Sequence, residues 1–287
     1  MVDTLYIKIT ENCNMKCPFC YIHQKPGIIS VSNAIKFINA TQPKNIVFHG
    51  GEPLLYPESI LDIIYGVESD KYNFSITSNL SFQLSSKMRQ VIDQCAVATS
   101  YSYDRFYLKK QQYNQFKENL HKISKSKNIT LLVTLSNNHM KNQKPEELQA
   151  IINTLPIKYV LLERMYGNYT PKLANETDEY MLNMFKLLDP QKNVLYRMMV
   201  NAIKNHLPVF NTKCNSDVIT LNTDGKVFSC PNLYGKRLSK NKKCLLCSLY
   251  EYCRGDCPSF QDKCMFPKKT FEFVKRDIND KKVPRIS

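Results

Sequence analysis

The chain has 287 residues, of which 43% are hydrophobic and 23% charged. This length suffices for one large domain and a smaller module. No apolar run is long enough to span a membrane, and no secretory signal precedes the first predicted strand. The odd total of eleven cysteines in a chain without a secretory signal disfavours a disulfide framework, and free thiols imply the reducing cytoplasm. The net charge of +15 fits either a polyanion partner or a lysine-rich, solvated surface.

A compact cysteine motif follows the first apolar run, Leu5 to Thr10. Cys13, Cys17 and Cys20 have the spacing C-x3-C-x2-C. Cysteine thiolates are the usual ligands of iron-sulfur clusters, and three of them leave one iron of a 4Fe-4S cluster open to another ligand. His23 offers an alternative, since it can complete a four-ligand zinc site.

The next predicted strand ends in a glycine turn, Gly50-Gly51-Glu52-Pro53. Together with the cysteine motif this element resembles the radical S-adenosylmethionine (SAM) family. The resemblance implies that the cluster binds SAM at its open iron and cleaves it to a 5′-deoxyadenosyl radical, and that Gly50, Gly51 and Glu52 hold the amino group of SAM. A reductant such as flavodoxin or ferredoxin is the implied electron donor.

Further strands and amphipathic helices alternate along the chain. Strands are predicted at 74–79, 96–104, 129–136 and 159–163, and helices at 85–92 and 113–123. This alternation favours a parallel sheet with external helices. The predicted fold class is α/β, a partial (β/α)6 barrel of the radical SAM type followed by a small Cys-rich domain with a β-hairpin.

Additional SAM contacts follow from the resemblance. Asn79 and Ser102 lie in the last parts of predicted strands three and four, where the family contacts the ribose and carboxylate of SAM, and Phe19 matches an aromatic residue near the adenine. Leu80 and Arg105 depart from the family pattern, because glycine is usual at both positions. Arg105 can pair with a carboxylate or lie in solvent.

A second cysteine array lies in the last third of the chain. Its members are Cys214, Cys230, Cys244, Cys247, Cys253, Cys257 and Cys264, and a turn at Thr223-Asp-Gly225 predicts a β-hairpin after Cys214. The array resembles the SPASM extension of radical SAM enzymes. Two zinc knuckles are the alternative.

The resemblance to SPASM domains implies two auxiliary 4Fe-4S clusters. One is held by Cys244, Cys247, Cys253 and Cys264, the other by Cys214, Cys230 and Cys257. The second cluster lacks a fourth cysteine ligand. Its fourth iron is therefore bound by His206, bound by a substrate group, or left open. Cys95 lies outside both arrays and is expected to be a buried structural residue.

The expected domains are a barrel over 1–190, a helical connector over 191–206, a SPASM domain over 207–267 and a basic tail over 268–287. The resemblance favours an oxidoreductase of the maturase type, acting on a peptide or protein. Because the chain begins directly with strand one, leader recognition is expected from the barrel or a separate leader-binding protein. The alternatives are modification of a nucleic acid base or nucleotide, motivated by the charge, and a non-catalytic electron-transfer or scaffold protein. Glu163, Arg164 and Tyr166 are the candidate catalytic residues.

Overall fold

The structure is a computed structural model, and it describes residues 2–17, 20, 22, 25–106, 110–125, 127–164, 174–209, 217–228, 247–253 and 266–281. Several residues singled out above lie outside this set, namely Phe19, His23, Tyr166, Cys214, Cys230, Cys244, Cys257 and Cys264. The side chains of Arg105 and Arg164 are also outside it. Their predicted roles stay predictions.

Eight strands form one sheet in the described part of the chain. They are β1 Thr4–Thr10, β2 Asn45–Gly50, β3 Asn73–Ser78, β4 Ala96–Tyr101, β5 Ile129–Leu135, β6 Tyr159–Arg164, β7 Val218–Leu221 and β8 Val227–Phe228. The strand order is β6-β5-β4-β3-β2-β1-β7-β8. The pairs β1–β2, β2–β3, β3–β4 and β1–β7 are parallel, and β7–β8 is antiparallel.

Helices separate the strands as predicted. They are α1 Val31–Thr41, α2 Pro57–Tyr65, α3 Ser86–Gln94, α4 Tyr103–Phe106, α5 Lys110–Ile123, α6 Asn137–Asn142, α7 Pro145–Thr154, α8 Ala174–Leu187, α9 Val194–Asn205, α10 Tyr250–Cys253 and α11 Lys268–Lys281. The predicted α/β class and the order of the first six strands are therefore confirmed. Among the described helices, none has the length and apolar character needed to cross a membrane.

Strand alternation builds the core of the sheet. Leu5, Ile7 and Ile9 of β1 are fully buried on one face, and on the neighbouring strands Phe48 stacks on Phe74 with ring centroids 5.8 Å apart. Successive side chains of a strand point to opposite faces, so the intervening residues of β1 share the other face. The sheet thus has one closely packed apolar face and one more polar face.

The predicted ends of strands three to six were each wrong by one to three residues. Strands five and six end at Leu135 and Arg164, where residues 136 and 163 were expected. Strand four ends at Tyr101, and the short helix α4 begins at Tyr103, where the strand was expected to run to residue 104. Serine favours the position just before a helix, so Ser102 is a physical reason for the chain to leave the strand there. Strand three ends at Ser78, one residue before Asn79.

The chain separates into two compact units. The first comprises Met1–Leu132, Leu155–Lys158 and Lys213–Lys236, and the second comprises Val133–Thr154, Tyr159–Thr212 and Arg237–Ser287. The antiparallel pair β7–β8 belongs to the first unit, and the predicted hairpin is present there. Its assignment to a SPASM domain stays a prediction.

In the second unit, a buried carboxylate joins two helices. Asp178 of α8 accepts hydrogen bonds from the backbone N–H groups of Lys269 (2.7 Å) and Thr270 (3.0 Å), and from the Thr270 hydroxyl (2.8 Å). These N–H groups belong to the first turn of α11, where a helix has no internal acceptors. Asp178 therefore fixes the start of α11 against α8.

We expect Asp178→Ala to lower the free energy of unfolding by about 2 kcal/mol, because it leaves buried N–H groups of α11 without an acceptor. Urea denaturation followed by circular dichroism measures this change. The matched control is Glu179→Ala, which removes the adjacent carboxylate and its exposed ion pair with Lys269. Its transition should stay close to that of the wild type, and equal losses in both variants would contradict the assigned role.

Candidate active site

The loop that carries the first three cysteines is closed at its base by Thr10, the last residue of β1. The Thr10 hydroxyl donates to the carbonyl oxygen of Gly27 (2.7 Å) and accepts from the N–H of Asn12 (3.0 Å). Ile29 also donates its N–H to the carbonyl oxygen of Ile9 (2.9 Å). The loop therefore leaves and rejoins the sheet at one point. Sequence reasoning missed Thr10, whose only signal was its place between strand and motif.

Backbone contacts organise the three thiols within this loop. The N–H of Met15 donates to Cys13 Sγ (3.4 Å), and the N–H of Cys20 donates to the carbonyl oxygen of Cys17 (3.1 Å). Cys13 and Cys17 are half-buried and Cys20 is exposed. Hydrogen bonds to ligand sulfurs are one of the means by which a protein tunes an iron-sulfur cluster.

The pKa values of the loop thiols indicate whether metal binding releases protons. Burial, together with the negative charges of Glu52, Cys17 and Cys20, raises the pKa of Cys13 to about 11 against the opposing hydrogen bond from Met15. Burial also raises the pKa of Cys20. Without metal, Cys13 and Cys20 are thus thiols at neutral pH, and their binding to a metal releases protons.

Within the described residues, no group of three or more His, Cys, Asp or Glu side chains is already arranged to hold a metal ion. The donor chemistry of the loop, three thiols in eight residues with a backbone N–H directed at one sulfur, fits an iron-sulfur cluster. The three sulfurs would converge as the cluster is bound. Their assignment as ligands stays a prediction.

The paired glycines lie directly against the base of the cysteine loop. A Cβ atom at Gly50, whose φ is +138°, would lie 2.2 Å from the carbonyl oxygen of Thr10, and one at Gly51 would lie 2.1 Å from that of Asn12. The N–H groups of Gly51 and Glu52 donate to these same two oxygens, at 2.8 and 2.9 Å. Glycine is therefore required here by the approach of the protein's own backbone.

Glu52 is completely buried and joins three segments. Its Oε1 accepts from the N–H of Leu54 (3.1 Å) and the hydroxyl of Ser78 (2.8 Å), and its Oε2 accepts from the N–H of Asn79 (2.7 Å). A buried carboxylate is stable only with such donors. The structure thus gives Glu52 a structural function, while its predicted contact with the amino group of SAM stays a prediction.

Asn79 connects the end of β3 to the cysteine loop. Its Nδ2 donates to Asn14 Oδ1 (2.7 Å) and lies 3.8 Å from Cys13 Sγ, and its Oδ1 accepts from the N–H of Ser81 (2.9 Å). Asn79 is only 9% exposed. The structure therefore places the predicted SAM-contacting residue beside the predicted cluster ligand, with its amide already engaged.

Leu80, which stands where the family pattern has glycine, adopts a left-handed backbone conformation. Its φ is +51°, in the left-handed region that costs a non-glycine residue about 1–2 kcal/mol. Three features offset this cost. The side chain is fully buried, its N–H donates to the Ser78 hydroxyl (3.1 Å), and its carbonyl oxygen accepts from Asn119 Nδ2 (3.0 Å). Leucine thus preserves the turn that follows Asn79.

Ser102 and Glu163 lie in different compact units. Ser102 is 1% exposed and stands between β4 and α4. Glu163 lies near the end of β6 in the second unit, and burial raises its pKa to about 7. A carboxyl group with such a pKa can hold or release a proton near neutral pH, which is what a general acid or base requires. The predicted roles of both residues remain untested.

Two cysteines of the second array are described, at the start and end of a short helical segment. Cys247 is half-buried and its carbonyl oxygen accepts from the N–H of Tyr250 (3.0 Å), while Cys253 is 8% exposed at the end of α10. His206, the candidate fourth ligand, is exposed at the end of α9 with its Nδ1 3.3 Å from Glu251 Oε1. Cys95 is 1% exposed, as expected for a structural residue.

The fold, the glycine turn and the cysteine loop define a protein class. Residues 7–155, slightly more than half of the chain, match the family model described as the radical SAM superfamily. The chain therefore belongs to the radical SAM superfamily. Membership implies a 4Fe-4S cluster that binds SAM, and it supports an enzymatic function.

Solved structures of SuiB from Streptococcus suis have a similar fold. The structure with precursor peptide SuiA is 13% identical, covers 92% of this chain and 75% of that chain, and has a TM-score of 0.64. The structure with S-adenosylmethionine is 12% identical, covers 92% and 77%, and has a TM-score of 0.67. An uncharacterized protein from Archaeoglobus fulgidus is 28% identical over 82 residues, which are 24% of this chain and a fifth (20%) of that protein.

We expect Cys13→Ala, Cys17→Ala and Cys20→Ala each to lower the iron content of anaerobically reconstituted protein by about four atoms per chain, since each removes a ligand of one 4Fe-4S cluster. Iron and sulfide analysis measures the loss. Cys95→Ala is the matched control, because it removes a buried thiol outside both arrays, and its iron content should equal that of the wild type. Unchanged iron in the three loop variants would exclude this cluster assignment.

Because burial raises the pKa of Glu163, we expect the free energy of unfolding to depend on pH. The folded chain holds its proton up to about pH 7, whereas the unfolded chain loses it near 4.5, so the free energy of unfolding should fall as the pH rises between these values. Glu163→Gln should remove this slope and be more stable than the wild type above pH 7. Urea denaturation at pH 5 and pH 8 tests this, with exposed Glu272→Gln as the control. A Glu163→Gln slope equal to that of the wild type would refute it.

Proposed function

We propose that this protein is a radical SAM enzyme with a SPASM domain that modifies a peptide or protein substrate. The cluster, when bound, supplies the electron that cleaves SAM to a 5′-deoxyadenosyl radical, which then abstracts hydrogen from the substrate. The observation that carries this proposal is the connection of the cysteine loop, the glycine turn and Asn79 into one hydrogen-bonded unit.

The residues of the cysteine loop, the glycine turn and the neighbouring strand ends have different roles in the proposed reaction. Cys13, Cys17 and Cys20 would hold the cluster, and Thr10 keeps their loop at the end of β1. Gly50, Gly51 and Glu52 hold the loop base in register with β3, and Asn79 and Ser102 would orient SAM beside it. Active sites of α/β barrels lie at these carboxyl ends of strands.

The SPASM assignment rests on the spacing of seven cysteines in the last third of the chain. We assign one auxiliary 4Fe-4S cluster to Cys244, Cys247, Cys253 and Cys264, and another to Cys214, Cys230 and Cys257. The β7–β8 hairpin supports this assignment, since it lies between Cys214 and Cys230 in the sequence and would return the chain from one to the other.

The peptide assignment is supported by the likeness to SuiB, a protein solved with both SAM and a precursor peptide. The similarity extends over 92% of this chain and so beyond the residues that match the radical SAM model. A peptide substrate also accommodates the charge of +15, because an acidic leader or side chain would be attracted to it. A separate leader-binding protein and a flavodoxin or ferredoxin complete the proposed set of partners.

Modification of a nucleic acid is the second candidate, favoured by the net charge alone. It is tested with the first in one experiment. Anaerobically reconstituted protein, SAM and dithionite are combined with peptide or nucleic-acid fractions from deuterium-labelled cells, and deuterium in 5′-deoxyadenosine is read by mass spectrometry. We expect deuterium from the peptide fraction, because the radical takes hydrogen directly from its substrate.

One control variant and two contrary outcomes complete this experiment. Cys13→Ala protein should yield no labelled 5′-deoxyadenosine from either fraction. Label from the nucleic-acid fraction alone would replace the first candidate by the second. Complete absence of SAM cleavage by protein with a full iron complement would instead favour a non-catalytic electron-transfer protein.

A further inference from the structure

A group of polar side chains lies on the more polar face of three neighbouring strands, β7, β1 and β2, in the first unit. In the parallel registers, Lys8 of β1 is the partner of His49 on β2, and Tyr6 of β1 is the partner of Thr220 on β7. Register partners in a parallel pair share a face, and residues two apart on a strand share it too. These four side chains therefore lie on the face opposite the buried Ile7.

Lys8 supplies the positive charge of this group. It is only 1% exposed, although a buried charge is costly unless other groups solvate it. The His49 ring lies edge-on to the Tyr6 ring, with centroids 6.0 Å apart. Burial, and then the charge of Lys8, lowers the pKa of His49 to about 4, so this ring is neutral at neutral pH. Among these four residues, Lys8 is thus the charged one, and His49, Tyr6 and Thr220 are uncharged polar groups.

Two neighbouring polar atoms have no hydrogen-bond partner within the described residues. They are the hydroxyl of Thr220, which is fully buried, and Oδ1 of Asn222, which is 7% exposed. Asn222 directly follows β7 after the register pair Ile7–Leu221, so continued alternation would put it on the same face as Lys8. A buried polar atom without a partner is unfavourable, so an external group that satisfies it would bind favourably.

The orientation of the Asn222 amide is fixed by its other contact. Its Nδ2 donates to the carboxylate of Asp224 (3.1 Å), which can only accept. Oδ1 is therefore the amide atom without a partner in the described part of the chain, and it can accept a hydrogen bond from a donor such as a peptide N–H group. The Lys8 ammonium group can only donate, and the Thr220 hydroxyl is able to donate as well. The site presents two donors, one of them charged, and one acceptor.

We propose that Lys8, Thr220 and Asn222 bind a carboxylate group of the peptide substrate together with an adjacent peptide N–H group. Lys8 and Thr220 donate to the carboxylate, and Asn222 Oδ1 accepts from the N–H. This inference rests on the proposed peptide substrate and specifies how that substrate is held. Lys8 lies two residues before Thr10, so the bound group is anchored on the same strand that carries the cysteine loop.

N-acetylglycine is the probe, because it contains one carboxylate and one adjacent amide N–H. Its binding to reconstituted full-length protein, without reductant, is measured by ligand-observed NMR. We expect saturable binding that weakens at least tenfold in Lys8→Met and several-fold in Thr220→Val, which keeps the side-chain volume. N-acetylglycinamide, which lacks the carboxylate, should bind the wild type at least tenfold more weakly. Lys71→Met, which removes an exposed lysine, is the matched control and should bind as the wild type does.

Equal binding of N-acetylglycine by the wild type and both site variants would overturn the proposal. So would equal binding of N-acetylglycinamide, a preference for inorganic phosphate, or displacement of the probe by SAM, which would make this the carboxylate site of the cofactor. If Lys8→Met does not fold, Thr220→Val alone decides. Because no SAM cleavage is involved, a negative result here is distinct from a negative result in the deuterium-transfer experiment.

Discussion

The site depends on one buried carboxylate. Glu52 accepts hydrogen bonds from Leu54, Ser78 and Asn79, and its own N–H donates to the base of the cysteine loop. Two strand ends and the loop therefore have a common reference point. Removing a charged acceptor from such a buried network leaves several donors unsatisfied at once, which is why its members act together. The arrangement of the glycine turn, the end of β3 and the base of the cysteine loop depends on this one residue.

Local patterns predicted the strands, the helices between them and the glycine turn, because apolar alternation and amphipathic periodicity are properties of short segments. They also located Asn79 and the cysteine loop. They did not predict what Glu52 binds, since its donors at Ser78 and Asn79 come from the next strand. Leu80 shows the same limit. The sequence showed only that leucine replaces the usual glycine, whereas the left-handed backbone at Leu80 is supported by a hydrogen bond from Asn119 on a distant helix.

Contacts between segments distant in the sequence were the least predictable. The pattern around Gly225 indicated a hairpin, but nothing local indicated that β7 would pair with β1. Likewise, the charge pattern of residues 268–287 suggested a basic tail, whereas residues 268–281 form helix α11, whose first turn is held by Asp178. Such pairings are decided by which surfaces remain to be covered once the local elements have formed, and one sequence does not report them.

The pairing of β7 with β1 has a consequence for how the chain can be divided. Residues 4–7 of β1 are hydrogen-bonded on one side to β2 and on the other to a strand from the C-terminal third of the protein. A shortened chain lacking that strand would leave β1 as an unpaired edge, open to association with other chains. The C-terminal part that contains β7 therefore cannot be removed without exposing an edge of the sheet. Any exchange of this region between related enzymes has to preserve the strand that closes the edge of the catalytic sheet.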